Sequence, residues 1–153
     1  MHLILRRSLI FVALMVAGLA LYAIWFGIKA DRYDETVVPY LQEAVPELTS
    51  WRYDRLRPLL SPDARLDFDN DNVQAAYRKF DRLGALLSME KPQYLASSAG
   101  TSKELGDIEM LEYQVDARFE TGPATIKLKL IADGQSYYLH HFSFQSEIFA
   151  TGG

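Results

Sequence analysis

Near its start the chain has a stretch with no polar face. From Ser8 to Ile28, 21 residues pass without a charge, and most are strongly apolar. A helix that is apolar on every side must sit in a large core or in lipid. At ~1.5 Å per residue such a helix is about 31 Å long, matching a hydrocarbon core of ~30 Å. This predicts a membrane-spanning anchor. The competing reading, a cleaved signal, would use Gly18-Leu19-Ala20. Cleavage there would leave Leu21, Tyr22, Ala23, Ile24, Trp25 and Phe26 as an apolar stub, so an uncleaved anchor is expected. Tyr22, Trp25 and Phe26 cluster at its far end, as residues of an interfacial belt do. Ala13, Ala17 and Ala20 share one face, which would allow close packing against another helix.

Beyond residue 30 the pattern becomes amphipathic. Tyr33, Val37, Tyr40, Leu41, Ala44 and Leu48 recur at helical spacing and predict a helix over 31–48. Pro39 is expected to kink or split it near Val38, and Pro46 to end its regular part. Ser50 is expected to cap a short helix from Trp51 to Arg57, closed by Pro58. Ser61-Pro62 restarts a helix over 63–68, with the serine as cap and the proline in the first turn. Val73, Ala76, Tyr77, Phe80, Leu83 and Leu87 define one face of a helix over 73–87, capped by Asp71 or Asn72.

From Lys91 the period changes to two. A first strand is expected over 93–98, and a polar loop over 101–107. Tyr113, Val115, Ala117 and Phe119 alternate with polar residues over 112–120, and Ile126, Leu128 and Leu130 over 125–132. Tyr138, His140, Phe142, Phe144 and Ile148 form a third inward set. Keeping the apolar faces together pairs Phe119 with Ile126 around a Gly122-Pro123 turn. It pairs Leu130 with Tyr138 and Leu128 with His140 around a three-residue Asp133-Gly134-Gln135 turn with Gly134 at positive φ. The outer face would then carry Asp116, Arg118 and Glu120 beside Lys127 and Lys129. Helices followed by an antiparallel meander predict an α+β fold: a transmembrane helix, then helices packed on a curved sheet. The domains are residues 1–30, a short tail and anchor, and 31–153, one further domain.

Composition sharpens this division. The whole chain has 153 residues, a net charge of −4 and 49% hydrophobic residues. Arg6, Arg7 and Lys29 are the only charges in the first 30 residues, which leaves 13 Lys+Arg against 20 Asp+Glu, or −7, on the rest. That disfavours nucleic acid as a partner. With no cysteine, a disulfide framework, a Cys-based metal site and a cysteine nucleophile are excluded. Arg6-Arg7 ahead of the span favours a cytoplasmic N-terminus, with the acidic domain carried across.

Candidate chemistry is sparse. Asp67, Asp69 and Asp71 match the first half of a calcium loop, but Asn72 stands where glycine is needed and Arg78 where a bidentate glutamate should be. A polar loop that caps the next helix is the expected role, with no metal. His140 and His141 should point to opposite faces. His140, with Tyr113 and Tyr138, is the candidate set for a pocket. Trp51, Arg52, Arg55 and Arg57 form a basic cluster that could touch anionic lipid or an acidic partner. There is no Gly-x-Ser-x-Gly, glycine-rich phosphate loop or His-Glu-x-x-His, and Asp116 and Glu120 fall outward. No catalytic residue and no cofactor is assigned.

The layout resembles the nuclear transport factor 2-like, or cystatin-like cone, superfamily. The resemblance covers residues 33–149 and rests on Leu59-Leu60-Ser61-Pro62-Asp63-Ala64-Arg65, on Phe80-Asp81-Arg82-Leu83-Gly84, and on the strands Tyr113–Phe119, Ile126–Leu130 and Tyr138–Phe144. It implies a cone whose members include isomerases and dehydratases, pocket binders and protein-interaction modules, so fold alone does not select among these. The isomerase-type members use Tyr and Asp inside the cone, and no inward Asp matches here. A single anchor with such a domain also resembles, in layout, the larger inner-membrane scaffold component of type IV secretion machines. The expectation is a single-pass protein of a bacterial inner membrane with a periplasmic domain. It would be a non-catalytic interaction or accessory subunit whose partners are the bilayer and other membrane-protein subunits. A module for a small apolar ligand is the alternative, and an isomerase- or dehydratase-like enzyme the third.

Overall fold

The structure is a computed structural model, and it describes residues 2–134 and 136–150. It is α+β, with a long N-terminal apolar helix and a five-stranded antiparallel sheet with helices. The chain divides into two units between Glu35 and Thr36. Helix α1 (His2–Leu48) runs through that division, and its two stretches are described separately. In the first unit, the large apolar side chains from Leu9 to Ile28 are 55–74% exposed, apart from the partly covered Phe26. Ser8 onward is long and apolar enough to cross a membrane. Tyr22 lies 6.5 Å from Trp25 and 6.4 Å from Phe26 between ring centres, and Lys29 Nζ sits 4.5 Å over the Trp25 ring.

In the second unit, the end of α1 buries Val37, Val38, Leu41, Ala44, Val45 and Leu48. Both prolines lie inside α1, and it continues to Leu48. The expected split at Pro39 and stop at Pro46 are therefore corrected. A proline removes one backbone N–H···O=C hydrogen bond, and the burial of this apolar face outweighs that loss. The Thr49 hydroxyl and the Tyr77 phenol donate to the Val45 and Leu48 carbonyls at 2.8 and 2.6 Å, occupying acceptors that a helix end leaves open.

The short helices differ from expectation in their limits. α2 covers only Tyr53–Leu56, and a 3₁₀ turn Arg57–Leu59 follows with Pro58 in its first turn rather than closing a helix. Ser50 is not the cap; its hydroxyl donates to Glu47 O at 2.7 Å. α3 (Pro62–Phe68) has the expected Ser61 cap, which accepts the Ala64 N–H. α4 (Asp71–Arg78) is capped by Asn70, whose side chain accepts from Asn72 N, and not by Asp71 or Asn72. It passes into a 3₁₀ turn Lys79–Leu83 and ends at Gly84, φ +76. Leu87 is therefore not on this helix. It lies exposed in β1 (Leu86–Met89).

The remaining strands are β2 (Gln93–Ser102), β3 (Gly106–Phe119), β4 (Gly122–Asp133) and β5 (Ser136–Gln145), followed by α5 (Glu147–Ala150). β1 and β2 flank β3 on one side; β4 and then β5 follow on the other. Part of the loop expected over 101–107 is strand, because Thr101 pairs with Asp107 and Ser102 with Gly106. The alternation in β3 and β4 is as expected: Tyr113, Val115, Ala117, Phe119, Ile126, Leu128 and Leu130 are buried.

The registers are corrected. Phe119 pairs with Gly122, and Ile126 with Val115, so the turn is Glu120-Thr121. Gly122 takes the positive φ (+138), and Pro123 sits in the strand opposite Arg118. Asp133 pairs with Ser136, Leu130 with Leu139 and Leu128 with Phe142. Gly134 has the expected positive φ (+61), while Gln135 of the expected three-residue turn lies outside the described residues. The extra residue that keeps the faces aligned is His140, because Lys129 pairs with His141 and Leu130 with Leu139. It is a bulge inside β5, and it bends the strand there. Ile148 belongs to α5 and not to a strand face.

Candidate functional site

The bulge positions the most distinctive group of the domain. At Leu139 the outer edge of β5 meets Leu60 in a parallel bridge, and Ser61 N–H donates to Leu139 O at 2.8 Å. One residue on, His140 Nδ1 lies 2.9 Å from the buried Ser61 hydroxyl. The same serine oxygen accepts from Ala64 N, so the α3 cap and the β5 bulge share one atom.

His140 also lines a cleft of about 500 Å³ between α3, α4 and β5. Ala64, Phe68, Val73, Tyr77, Phe80 and Phe142 supply its apolar walls. Tyr77 and Phe142 meet edge to face at 6.1 Å, and Phe68 lies 5.6 Å from Phe142. Burial pushes the Tyr77 phenol up from its ordinary pKa. His141, Asp67 and Asn70 add polar groups to the lining of the cleft beside His140, and a cleft of this size with mainly apolar walls is able to hold a small ring or an apolar side chain.

The expected pocket set does not come together. Tyr113 is fully buried, 5.7 Å from Tyr94 and edge to face with it. Tyr138 lies opposite Ile131, with the Arg65 guanidinium 5.8 Å from its ring centre. Neither tyrosine lines the cleft that His140 lines. His141 is exposed, as expected, but it lines the same cleft as His140, because the bulge at His140 interrupts the alternation that would put the two on opposite faces.

The basic cluster is also corrected. Trp51 is an anchor of the core. Its indole N–H donates to Gly84 O at 2.9 Å, and its ring lies 5.5 Å from Phe144 and 6.0 Å from Phe119 and from Tyr77. Its φ of +58 is a left-handed conformation that costs an ordinary residue roughly 1–2 kcal/mol, offset here by those ring contacts and the indole hydrogen bond of this half-buried side chain. The three arginines each face an acid: Arg52 with Asp54 at 2.9 Å, Arg55 with Glu47 at 3.6 Å and Arg57 with Asp69 at 3.2 Å.

Asp69 is thereby taken from the calcium-loop candidates. Its carboxylate accepts from Arg57 and from the Tyr53 phenol, and these bonds hold its pKa below the usual carboxylate range. Asp67 closes α3 while Asp71 opens α4. Among the described residues, no three His, Asp or Glu side chains are grouped so as to hold a metal ion. Asp116 is exposed and accepts from the Thr125 hydroxyl at 2.7 Å; Glu120 accepts from Ala85 N at 2.9 Å. On the outer face Lys129 pairs with Glu112 at 3.2 Å, so the register places it four residues along β3 from Asp116, its neighbour in the expected ladder.

No protein-family model and no curated protein sequence matches the chain. Among solved structures, the chain is similar to the solution structure of a SEC-C motif containing protein from Rhodopseudomonas palustris. The two share 15% identity with a TM-score of 0.39, over 72% of this chain and 90% of that one.

Proposed function

We propose that the chain is a single-pass membrane protein and that residues 36–150 form a nuclear transport factor 2-like interaction or accessory module. The module faces the periplasm of a bacterial inner membrane and assembles with other membrane subunits. One observation carries the reading: an uncharged, bilayer-length stretch of helix whose large apolar side chains, Phe26 apart, are exposed among the described residues. Surface of that extent is unstable in water and favourable in lipid. The sheet order, with helices first and a bulge-bent meander after them, supports the cone reading. The interfacial aromatics Tyr22, Trp25 and Phe26 and the Arg6-Arg7 pair support the orientation.

The test uses the absence of cysteine. A single Lys127→Cys variant in intact cells with a permeabilised outer membrane should react with an impermeant maleimide. The protein should stay in the membrane pellet after carbonate extraction and purify in mild detergent with membrane subunits at fixed stoichiometry. Extraction by carbonate, labelling only after inner-membrane lysis, or a partnerless monomer would each overturn the part it reads.

A second reading rests on the His140 cleft, as a site for a small apolar ligand. An environment-sensitive apolar dye should bind the native chain, and Ala76→Phe should abolish that binding by filling the cleft. Equal binding by both proteins would rule this reading out.

A further inference from the structure

We infer that Ser61 fixes His140 as the imidazole tautomer with its proton on Nε2, and that the cleft therefore takes a small neutral ring bearing a hydrogen-bond acceptor, such as an aryl ketone. The inference rests on the second reading above, that the cleft is a ligand site, and adds the polarity of the ligand.

The tautomer follows from the proton count at Ser61. This side chain is 1% exposed and has one hydroxyl proton. Its oxygen already accepts the Ala64 N–H, at 3.3 Å. Among the described residues, the one acceptor in reach of the hydroxyl is His140 Nδ1, at 2.9 Å. If Nδ1 carried the imidazole proton, the serine proton would be buried without an acceptor, which is costly. Nδ1 therefore accepts, and Nε2 holds the N–H. Protonation of the ring would leave Nε2 a donor as well.

The backbone holds this pair in place. Ser61 N–H donates to Leu139 O, and the Leu60–Leu139 bridge ties the two segments together, so the serine and the bulged histidine stay adjacent. His140 lines the cleft and Ser61 does not, so the cleft receives the ring edge that points away from the serine. Among the described residues, Ser61 is the one hydrogen-bond partner of His140. The buried polar atoms without a partner belong to Tyr40, Asp63 and Arg65, so Nε2 is not sealed in the core. It is an open donor on an aromatic wall.

Phe68, Phe80 and Phe142 offer ring surface beside it. An occupant that covered Nε2 with carbon would strip water from the N–H and return no bond, whereas an oxygen at that point replaces the water. Asp67 lines the same cleft, and acids outnumber bases beyond residue 30. A carboxylate would meet repulsion there, so the fitting acceptor is a neutral oxygen.

The test uses two probes of nearly equal shape, 2-acetylnaphthalene and 2-ethylnaphthalene, of which only the first has an acceptor. Each is titrated into the full chain in detergent, and the Ala76→Phe chain in the same detergent measures what the micelles take up. The native chain should prefer the ketone roughly tenfold, and His140→Leu should bind both equally. In the native chain at about pH 8, where an ordinary imidazole is neutral, the ¹⁵N spectrum of His140 should show a bare Nδ1 and a protonated Nε2. The ketone alone should shift the Nε2 signal, and Ser61→Ala should turn the spectrum into an average of two tautomers. Equal affinity of the native chain for both probes, or a proton on Nδ1, would overturn the inference; with both probes still bound, the ligand reading stands. A preference that survives His140→Leu, or a single tautomer unchanged in Ser61→Ala, would overturn it as well. Binding of neither probe beyond the Ala76→Phe level would remove the ligand reading itself, and this inference with it.

Discussion

From Ser8 to Trp25 the side chains of α1 are apolar around the whole helix and exposed around the whole helix. From Val37 to Leu48 the apolar ones are confined to one face and buried, while Pro39, Gln42, Glu43 and Pro46 are exposed. The later stretch shows what a helix of this chain looks like when the rest of the protein covers it. Its hydrophobic positions are spaced by three and four, and its polar ones face water. The earlier stretch lacks that division, and in the reading proposed above lipid stands where the core stands for the later one. The same residue type should then behave differently at the two places.

The largest contrast is between two leucines. Leu41 is fully buried and Leu14 is two-thirds exposed. Leu41→Ala should lower the unfolding free energy of the domain by about 2–5 kcal/mol, the cost of a core cavity, read as a shifted denaturant midpoint. Leu14→Ala should leave that midpoint unchanged. A loss at Leu14 comparable to that at Leu41 would show that the chain covers this stretch in solution.

Leu14→Arg reverses the pattern. A charge at the centre of a spanning helix costs roughly 2.5–3.5 kcal/mol of insertion free energy. The membrane-bound fraction should fall several-fold while the denaturant midpoint holds. An unchanged membrane fraction would mean that residues 8–28 do not span.

Pro46 tests how strongly packing holds the later stretch. Its ring removes the N–H that would bond the Gln42 carbonyl, yet α1 continues to Leu48. Pro46→Ala restores the donor, and the domain should gain roughly 1–2 kcal/mol, part of the ~3 kcal/mol that proline costs inside a helix. A loss of stability would mean that the proline ring itself packs usefully there.

That proline also marks where sequence reasoning works. It reads local rules well: Ser61-Pro62 capped α3 as expected, because the cap needs only four adjacent residues. It reads strand faces well too, since alternation survives any even shift. For the same reason it cannot fix register. Phe119 opposite Gly122 and Phe119 opposite Ile126 put the same side chains inward. Parity does reveal that β5 holds one residue too many, but not that this residue is His140 rather than a turn residue. His140 therefore acquires Ser61 as a neighbour, 79 positions away, which no local pattern could show. Trp51 was missed differently. Beside three arginines it looks like a surface residue, and its left-handed φ, which turns the indole into the core, has no signature in its neighbours. Gly84 was a signal left unused: a helix over 73–87 would contain it, and its positive φ ends the turn instead.

The smallest effect concerns Tyr40, between these two kinds of surface. Its ring lies 5.6 Å from Tyr137, and its hydroxyl is buried without a hydrogen-bond partner among the described residues. Desolvation, with a smaller contribution from the Tyr138 phenol, pushes its pKa up to about 12 from an ordinary 10. The unfolded chain therefore loses this proton near pH 10, whereas the folded chain keeps it until about pH 12. Between those values the unfolded state binds fewer protons, so stability falls as pH rises, and the contribution is fully present below pH 10. Tyr40→Phe removes the titrating group. The variant should lose less stability than the parent between pH 10 and 12, with a remaining slope from Tyr77 and Tyr53, whose pKa values are also raised. Near neutral pH it should be equal to the parent or more stable by up to about 1 kcal/mol, because no hydrogen bond is lost and a buried unpaired hydroxyl is removed. Urea midpoints for both proteins at pH 7, 10 and 11.5 read both expectations. A variant less stable at pH 7 would show that the hydroxyl has a partner in solution, and that this part of α1 meets water as well as core.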